Sequence, residues 1–483
     1  MKLFQNNKKI FYIVFYLILF SGIILRLYNI NYDNFWYDEI LSYWVSDPRI
    51  STSSSFDRHQ SIEQLPFLFN LLLKYYFNIF SYNPDNGRYL SFIFSILSIL
   101  TITKICHNLK KNYSFLFCLF LLCFNIFLIG YSQELRPYSM VLFFCSLQLL
   151  FFFRLIEESN DKNNKRLIFF SVLINILTVS SHPFTLIIFF SIIFFSLLYL
   201  IKFKKNLKKL NFTILYTVIF CSFYYVFYLK NLNPIPTWLE QPELKFYTNF
   251  YFSGFFGSRL LGLLHLFLLI YLVVVFFKKF KNEYFNLNIF LIIIFFSYFL
   301  PIVYGYIFQP IIFSRYIIFV LIPIIILISY LTFEIKIKKI KNFIIIITVL
   351  FTLGNLYTET TIQQFFTKRM HYKPDFISAL KDINKSKEKS YTLDISLDKY
   401  AENSAHLAIE NYVNELKKKL NFHQIYYTSN KEYLISNQKK IWVICLTIIS
   451  KDKCINSGGN INSFVLLEKN YPSLKSKLLK KKN

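Results

Sequence analysis

Residues 10–25 read IFYIVFYLILFSGIIL, an apolar run that is followed closely by NFWYDEILSYW at residues 34–44. With its flanks, the first run is long enough to cross a bilayer, since about 20 helical residues span the hydrocarbon core. In the second stretch, aromatic side chains flank the adjacent acids Asp38 and Glu39. Aromatic residues with a polar group favour the membrane–water boundary. The acidic pair is therefore expected just outside the first span, either as part of a site or as the solvated start of a loop.

The rest of the chain repeats the pattern of the first run. The whole chain of 483 residues is 55% hydrophobic and includes 59 Phe, 36 Tyr and only 10 Gly. Helices are the economical way for such apolar windows to satisfy their backbones in lipid. The sequence therefore predicts a polytopic α-helical membrane protein with eleven spans, at residues 10–30, 88–105, 113–130, 137–153, 167–182, 183–201, 211–229, 259–277, 286–307, 315–333 and 342–357.

The net charge of +27 is explained by Lys-rich connectors between spans rather than by binding to nucleic acid. With a cytoplasmic N-terminus, eleven spans place every basic connector on the cytoplasmic side and the C-terminus outside. A signal peptide is the other reading of residues 1–25, but no Ala-x-Ala cleavage site follows. We predict a multi-pass protein of the inner (plasma) membrane, in contact with membrane lipids.

The apolar segment 65–80 contains Asn70, Lys74 and Asn78, and it is left out of the span count. Counting it would reverse every later helix and put the Lys clusters outside. It is predicted to lie along the outer membrane surface as a juxtamembrane helix. Residues 31–87 then form one long external loop of a transmembrane catalytic domain at 1–357.

Residues 358–483 are more polar and are predicted to form a small extracytoplasmic α/β domain. Short apolar runs at 391–395, 425–427, 441–446 and 463–467 indicate strands, and residues 401–420 indicate a helix. The Lys-rich tail at 475–482 is interpreted as a solvated end. Cys445 and Cys454 fall in a compartment that permits a disulfide, and the sequence leaves that pairing open.

Arginine is rare in this chain, with 10 Arg beside 44 Lys, and on the predicted outer side it lies at helix boundaries. Alone, each such Arg could simply reach the lipid headgroups, and a His could simply complete a turn. Their placement together on one face favours a site instead. The outer-face candidates are Asp38, Glu39, Arg58, His59, Arg88, Glu134, Arg136, Tyr138, His182, Arg259 and Arg315.

Carboxylates beside several Arg suit sugar transfer from a lipid-linked phosphate. The planar guanidinium group can bond two phosphate oxygens at once. A carboxylate can take the proton from an attacking acceptor hydroxyl. Phosphate leaves without an acid if its charge is stabilised. Arg58, His59, Glu134, Tyr138 and His182 are candidate substrate-binding residues in such a site.

Five motifs in order resemble the GT-C membrane glycosyltransferases, nearest the glycosyltransferase 39 type, which includes protein O-mannosyltransferases and the lipid A aminoarabinose transferase. The resemblance covers about residues 10–335. The motifs are Trp36-Tyr-Asp38-Glu39, Gln64-Leu-Pro66-Phe-Leu-Phe, Gly87-Arg88-Tyr-Leu-Ser, Gln133-Glu134-Leu-Arg136-Pro137-Tyr138 and Ser314-Arg315-Tyr316.

The resemblance implies that Asp38 is the catalytic base or the residue that orients the acceptor, supported by Glu39. It also implies that Arg88, Arg136 and Arg315 contact the donor phosphate. The family often has His-Pro-Pro ahead of the juxtamembrane helix, whereas this chain has Gln64-Leu65-Pro66. The role of that His is left unassigned, because His59 lies too far upstream to be given it. Metal use varies in the superfamily. A divalent metal is left open, since no second acidic cluster demands one.

The resulting hypothesis is an inverting transferase that moves a sugar from a polyprenyl-phosphate donor to an acceptor hydroxyl at the outer face. A polysaccharide polymerase or ligase is the first alternative, although the loop 230–258 lacks the Arg and His expected there. A transporter of lipid-linked glycans is the second, but the spans are nearly free of mid-span charges and breaks. The donor sugar, and whether the acceptor is a lipid, a glycan or a protein, stay open.

Overall fold

The computed structural model describes residues 8–63, 65–109, 113–157, 165–204, 207–230, 239–358, 373–394, 402–428, 439–446 and 463–481. In chain order the α-helices are α1 (Lys8–Leu27), α2 (Tyr37–Val45), α3 (Thr52–Gln60), α4 (Leu68–Phe80), α5 (Pro84–Leu109), α6 (Ser114–Cys123), α7 (Ile126–Ser132), α8 (Tyr138–Glu157), α9 (Lys165–Val179), α10 (Leu186–Phe203), α11 (Lys208–Lys230), α12 (Leu244–Tyr247), α13 (Phe252–Phe255), α14 (Arg259–Val275), α15 (Phe277–Phe280), α16 (Asn288–Ile307), α17 (Leu321–Glu334), α18 (Lys338–Thr358), α19 (Phe376–Lys385) and α20 (Glu402–Lys419).

The strands all follow the long helices. They are β1 (Ser390–Asp394), β2 (Tyr426–Tyr427), β3 (Lys440–Leu446), β4 (Ser463–Tyr471) and β5 (Leu474–Lys481). Short 3₁₀ turns at Pro183–Thr185, Phe285–Leu287 and Ile318–Val320 lead into α10, α16 and α17.

The chain forms two compact units. The first, called the helical unit, comprises Met1–Tyr28, Leu65–Phe69 and Ser91–Arg369, and the second, called the sheet unit, comprises Asn29–Gln64, Asn70–Leu90 and Met370–Asn483. Most of the predicted external loop therefore groups with the C-terminal residues, whereas the sequence-based division put it with residues 1–357.

The chain is a multi-pass membrane protein. Among the described residues, seven helices are long and apolar enough to cross a membrane, and α6 with α7 makes an eighth if the pair is one span bent by 56°. Each of the eleven predicted segments coincides with a helix, so the helical membrane fold is confirmed. The helices α9 and α14 have only 15 and 17 residues, and the number of spans stays a prediction.

The helix α17 is the core of the helical unit. Its sequence LIPIIILISYLTFE is apolar on every side, and all residues from Leu321 to Thr332 are buried. A helix that is hydrophobic all round is buried among others rather than amphipathic. It packs against α6 and α14, and because it faces protein on all sides it does not depend on lipid contact.

A buried arginine supports the bend between α6 and α7. Arg26, fully buried at the end of α1, donates to the carbonyls of Leu122 and Cys123 at 2.9 and 2.8 Å. It also donates to the carbonyl of Gly22 at 3.1 Å and to Ser95 Oγ at 3.0 Å. The last carbonyls of a helix lack intrahelical partners and carry partial negative charge, so a guanidinium group satisfies them well.

The sheet of the sheet unit has the strand order β2-β1-β3-β5-β4. Strand β1 runs parallel to β2 and β3, and β5 runs antiparallel to β3 and β4. The four strands and the helix predicted from sequence in this region are confirmed. Cys445 on β3 is disulfide-bonded, and Cys454 lies outside the described residues.

The prediction of a solvated C-terminal tail was wrong. Residues Leu474–Lys481 form β5, which lies between β3 and β4 in the sheet. Leu474, Ser476 and Leu479 are fully buried, while Lys477 is paired with Glu468 at 3.5 Å. A strand needs apolar residues on only one face, so the intervening Lys residues are compatible with it although they make the segment look polar.

The segment predicted as a juxtamembrane helix is α4. Leu73 and Phe77 are buried, whereas Tyr75, Ile79 and Phe80 are more than half exposed. A helix with apolar residues on an exposed face suits the surface of a membrane. Its helical character is confirmed, and its place on the outer membrane surface stays a prediction.

We expect Gly22→Ala to destabilise the helical unit by about 1–3 kcal/mol, the usual cost of overpacking. A Cβ at Gly22 would lie 2.6 Å from Cys123 Sγ, at the end of α6 where Arg26 donates. Gly130→Ala in α7 is the matched control, because a Cβ there meets nothing within 4 Å. Thermal unfolding in detergent measures both, and equal melting temperatures would show that this contact is not tight.

Candidate active site

The candidate acids lie at the start of α2. An extended residue, Trp36, precedes the helix, and Asp38 and Glu39 occupy its first turn. Acidic residues in a first turn interact favourably with the partial positive charge of the helix N-terminus. The Asp38 side chain is half-buried, whereas Glu39 is fully buried, so the two acids have different surroundings.

The carboxylate of Glu39 lies between two cations. Its Oε1 accepts from Arg88 Nε at 2.8 Å and its Oε2 accepts from Arg88 Nη2 at 2.9 Å. Oε2 also accepts from Lys373 Nζ at 2.8 Å and from the Trp36 backbone N–H at 3.2 Å. Burial would raise the pKa of Glu39, but Arg88 and Lys373 outweigh burial and keep that pKa well below its usual range. Glu39 is therefore ionised and bound within the protein.

Arg88 uses all five of its N–H groups within the sheet unit. Besides Glu39, it donates to the carbonyls of Ile30, Asp33 and Asn34, which belong to the segment that leads to α2. Its guanidinium group also lies over the Phe35 ring, 5.0 Å from the centroid. A guanidinium with five donors engaged has none to offer a phosphate in this arrangement. Arg88 is therefore anchored to Glu39 and to the segment before α2, and its contact with the donor phosphate stays a prediction.

The C-terminal residues contact the same segment. Tyr412 Oη accepts from the Phe35 backbone N–H at 2.8 Å, and the two rings stack with centroids 5.1 Å apart. Asn34 donates to Asp375 Oδ1 at 3.3 Å. Sequence analysis missed Lys373, Asp375 and Tyr412, because nothing in their local sequence indicates a partner more than 300 residues away.

Arg58 and His59 belong to α3 and have partners within the sheet unit. Arg58 Nη1 donates to the Trp44 carbonyl at 2.9 Å, and the guanidinium group lies 4.5 Å from the centroid of the Trp44 ring. His59 is buried, with Nδ1 3.0 Å from the Asn70 amide and 3.9 Å from Glu63. These contacts stabilise the loop, and a role in substrate binding stays a prediction for both residues.

The candidate Arg259 is exposed at the start of α14, apart from the others. The remaining candidates of the helical unit, with Tyr316, form a cluster called the arginine cluster: Glu134, Arg136, Tyr138, His182, Arg315 and Tyr316. The positive charges of Arg136 and Arg315 act on His182, whose ring centroid lies 5.4 Å from that of Tyr316. Arg315 lies over the Tyr138 and Tyr316 rings at 5.7 and 5.6 Å. Two guanidinium groups with one acid give this buried region a net positive charge.

His182 adds a neutral hydrogen-bond donor to the arginine cluster. Its Nδ1 accepts from the Phe184 backbone N–H at 3.2 Å, which leaves the hydrogen of the neutral ring on Nε2. That Nε2 is buried and has no hydrogen-bond partner among the described residues. A buried polar group without a partner is costly and often marks a place where a ligand or water binds.

The predicted residues thus form two groups, each within one unit: Asp38, Glu39, Arg58, His59 and Arg88 in the sheet unit, and Glu134, Arg136, Tyr138, His182 and Arg315 in the helical unit. That the two groups share one cavity stays a prediction. In the described part of the chain, no three His, Cys, Asp or Glu residues are grouped in a way that could bind a metal ion.

The fold is similar to those of two membrane proteins with known structures. ArnT from Cupriavidus metallidurans in the apo state matches with a TM-score of 0.58 and 8% identity over 96% of this chain and 97% of that chain. The same protein bound to undecaprenyl phosphate gives 0.53, with 9% identity over the same shares. AglB from Archaeoglobus fulgidus, in complex with an inhibitory peptide and a dolichol-phosphate, gives 0.50 and 11% identity over 90% of this chain and 69% of that chain. At these identities the likeness shows the fold alone, and the predicted GT-C fold is confirmed.

A comparison with curated protein sequences finds no match. The EpsG family profile matches residues 9–370, well over half of the chain. The chain belongs to the EpsG family. The EpsG match includes Asp38, Glu39, Arg88 and the whole arginine cluster, and it ends before Lys373 and Tyr412.

We expect Glu39→Gln to lower the free energy of unfolding by about 3–5 kcal/mol, because Arg88 then stays buried without its anionic partner. The folded-state pKa of Glu39 is depressed, so its contribution is complete above the unfolded-state pKa of about 4.3 and is lost as the pH falls through the lower folded value. The unfolding curves of the wild type and the variant should therefore converge in acid.

The control is Asp85→Asn, which removes a surface pair with Lys419 whose side chains are 39% and 35% exposed. Exposed pairs contribute about 0–1 kcal/mol. If both variants melted alike at neutral pH, the buried ion pair would not be the stabilising element described above.

Proposed function

We propose that this protein is a glycosyltransferase that moves a sugar from a polyprenyl-phosphate donor to an acceptor hydroxyl at the outer face of the membrane. The proposal rests on one observation above all. Two adjacent acids differ in environment. The ionised Glu39 is paired with Arg88 and Lys373, and Asp38 is half-buried next to it in the chain. Neighbouring carboxylates in different surroundings take different roles. Asp38 is thus the base, and Glu39 is the residue that keeps its segment in place.

The proposed reaction is a single displacement with inversion. The Asp38 carboxylate takes the proton of the acceptor hydroxyl while the acceptor oxygen bonds to the anomeric carbon of the donor sugar. The bond from that carbon to the phosphate oxygen breaks, and the phosphate keeps the electron pair. The developing charge is stabilised by fixed donors, which act without reorganisation in a site that excludes water.

Arg136, Arg315 and the Nε2–H of His182 are the proposed donors to the lipid-linked phosphate. The net positive charge of the arginine cluster favours an anion, and the neutral His182 adds a hydrogen bond without adding charge. Bidentate guanidinium–phosphate bonds are among the stronger hydrogen bonds in proteins. Arg88 is reassigned from phosphate binding to positioning.

The side of the membrane follows from charge and from sulfur chemistry. Lys-rich connectors favour the cytoplasmic side of an inner membrane, which puts the N-terminus inside and the sheet unit outside. The disulfide-bonded Cys445 supports the same orientation, because disulfides persist in oxidising compartments.

A polysaccharide polymerase is the second candidate, and EpsG family membership favours it because that family is polymerase-like. A polymerase would use the same acid and phosphate chemistry, but its acceptor would be the end of a growing, lipid-linked glycan. Incubation of the purified protein with a lipid-linked sugar and analysis of product length separates the two. A ladder of products indicates polymerisation, and a single addition indicates a transferase.

We expect Asp38→Asn to lower kcat by about 10²–10⁴-fold, the usual contribution of a general base. The amide keeps the size of the side chain but cannot take the proton. Asp57→Asn is the control, since Asp57 is exposed on α3. Sugar release from a polyprenyl-phosphate donor gives the rates, and full activity of Asp38→Asn would contradict the mechanism.

We expect Arg315→Met to weaken binding of the lipid-linked phosphate by roughly 10–100-fold, since hydrogen bonds to charged groups contribute about 1.5–3 kcal/mol. Binding of a polyprenyl phosphate to the purified protein by calorimetry measures the change. Arg259→Met, at an exposed helix start, is the matched control. Equal weakening in both variants would mean that the contact is general charge attraction and not a phosphate site.

A further inference from the structure

The residues after 370 contact the Asp38 segment at several places. Before Asp38, the Phe35 backbone N–H donates to Tyr412 Oη at 2.8 Å. After Asp38, the Glu39 carboxylate accepts from Lys373 Nζ, also at 2.8 Å. Both pairs lie within the sheet unit. The first half of the segment is thus attached through Phe35 and the second half through Glu39, with Asp38 between them.

The same C-terminal residues also contact the wider loop. Asn411 accepts from Tyr82 at 3.0 Å, Glu415 accepts from Arg49 at 2.9 Å, and Lys419 donates to Asp85 at 2.8 Å. Asn411, Tyr412, Glu415 and Lys419 all belong to α20, so one rigid helix contributes most of the attachments. A rigid element with several contacts can define the position of the segments that it touches.

The chemistry of Lys373 suits this role. Its side chain is only 20% exposed, and its ammonium group contributes the second positive charge on the buried carboxylate of Glu39. Arg88 alone would balance that charge, so Lys373 adds a second cation that holds the Glu39 carboxylate. Hydrogen bonds between charged groups are stronger than neutral ones, so Lys373 attaches the residue next to Asp38 firmly.

We propose that the C-terminal residues are part of the catalytic framework, with Lys373 and Tyr412 as positioning residues that keep the segment 34–39, and so Asp38, in its reactive orientation. The inference rests on the proposed function and deepens it. It also extends beyond the EpsG match, which ends at residue 370. The sheet unit is then not an appended domain but supplies contacts that transfer requires.

The test uses the full chain and five variants. Lys373→Met and Tyr412→Phe remove the two contacts, while Lys440→Met and Tyr426→Phe remove the same groups from places away from the segment. Lys440 lies on β3 with a side chain 41% exposed, and Tyr426 is 62% exposed. Lys373→Arg keeps the charge and serves as the rescue variant.

Two measurements are made on each variant. In sugar transfer, Lys373→Met should lower kcat on the order of 10²-fold, as expected for a small misplacement of a reacting group, while the controls keep wild-type rates. The KM for the donor should change little, because the proposed phosphate contacts lie in the arginine cluster, and Lys373→Arg should restore kcat. In hydrogen exchange, the peptides covering residues 34–45 should exchange faster in Lys373→Met and Tyr412→Phe than in the controls.

Equal exchange in the variants and the controls would overturn the inference whatever the activity. Faster exchange with an unchanged kcat would also overturn it, because the contacts would then be structural only. If the wild type transferred no sugar from any polyprenyl-phosphate donor, the proposed function would fail instead. The exchange measurement would still decide whether the C-terminal residues hold the segment in place.

Discussion

The ion pair between Glu39 and Arg88 is the constraint on which the sheet unit depends. A buried carboxylate is unfavourable unless cations and hydrogen bonds compensate it, and a buried guanidinium group needs acceptors for all its N–H groups. Here Arg88 and Lys373 compensate the charge of Glu39. Glu39 and three backbone carbonyls accept the N–H groups of Arg88. Satisfying both residues leaves the segment before α2 little freedom, which is the condition a catalytic loop needs.

The helical unit uses a buried arginine in a related way. Arg26 donates to three carbonyls and a hydroxyl, and it does so where α6 ends and the chain bends. In both places one guanidinium group donates to several backbone oxygens at once. Arginine is rare in this chain, and lysine, with a single nitrogen, could not bridge several carbonyls in a plane.

Much of the architecture followed from local patterns. Apolar windows predicted the helices, and short apolar runs predicted four strands, because both depend on residues near each other in sequence. The strand β5 escaped prediction, since its buried Leu474 and Leu479 alternate with lysines that a composition-based reading assigns to solvent. The adjacent acids were found and the resemblance implied their roles, but the local sequence did not show that Glu39 is the one held by Arg88 and Lys373.

The sequence by itself determined that the chain crosses the membrane repeatedly, where its long apolar helices lie, and which residue types are available for chemistry. These properties follow from hydrophobicity and periodicity, which act over a turn or a span. Only the tertiary structure decided that the charge of Glu39 is balanced by Arg88 and Lys373, and that all five N–H groups of Arg88 have acceptors. It also decided that residues after 370 contact the segment of Asp38. Those outcomes depend on contacts between residues 49 and 334 positions apart, and the pairing of such distant groups is set by packing of the whole unit.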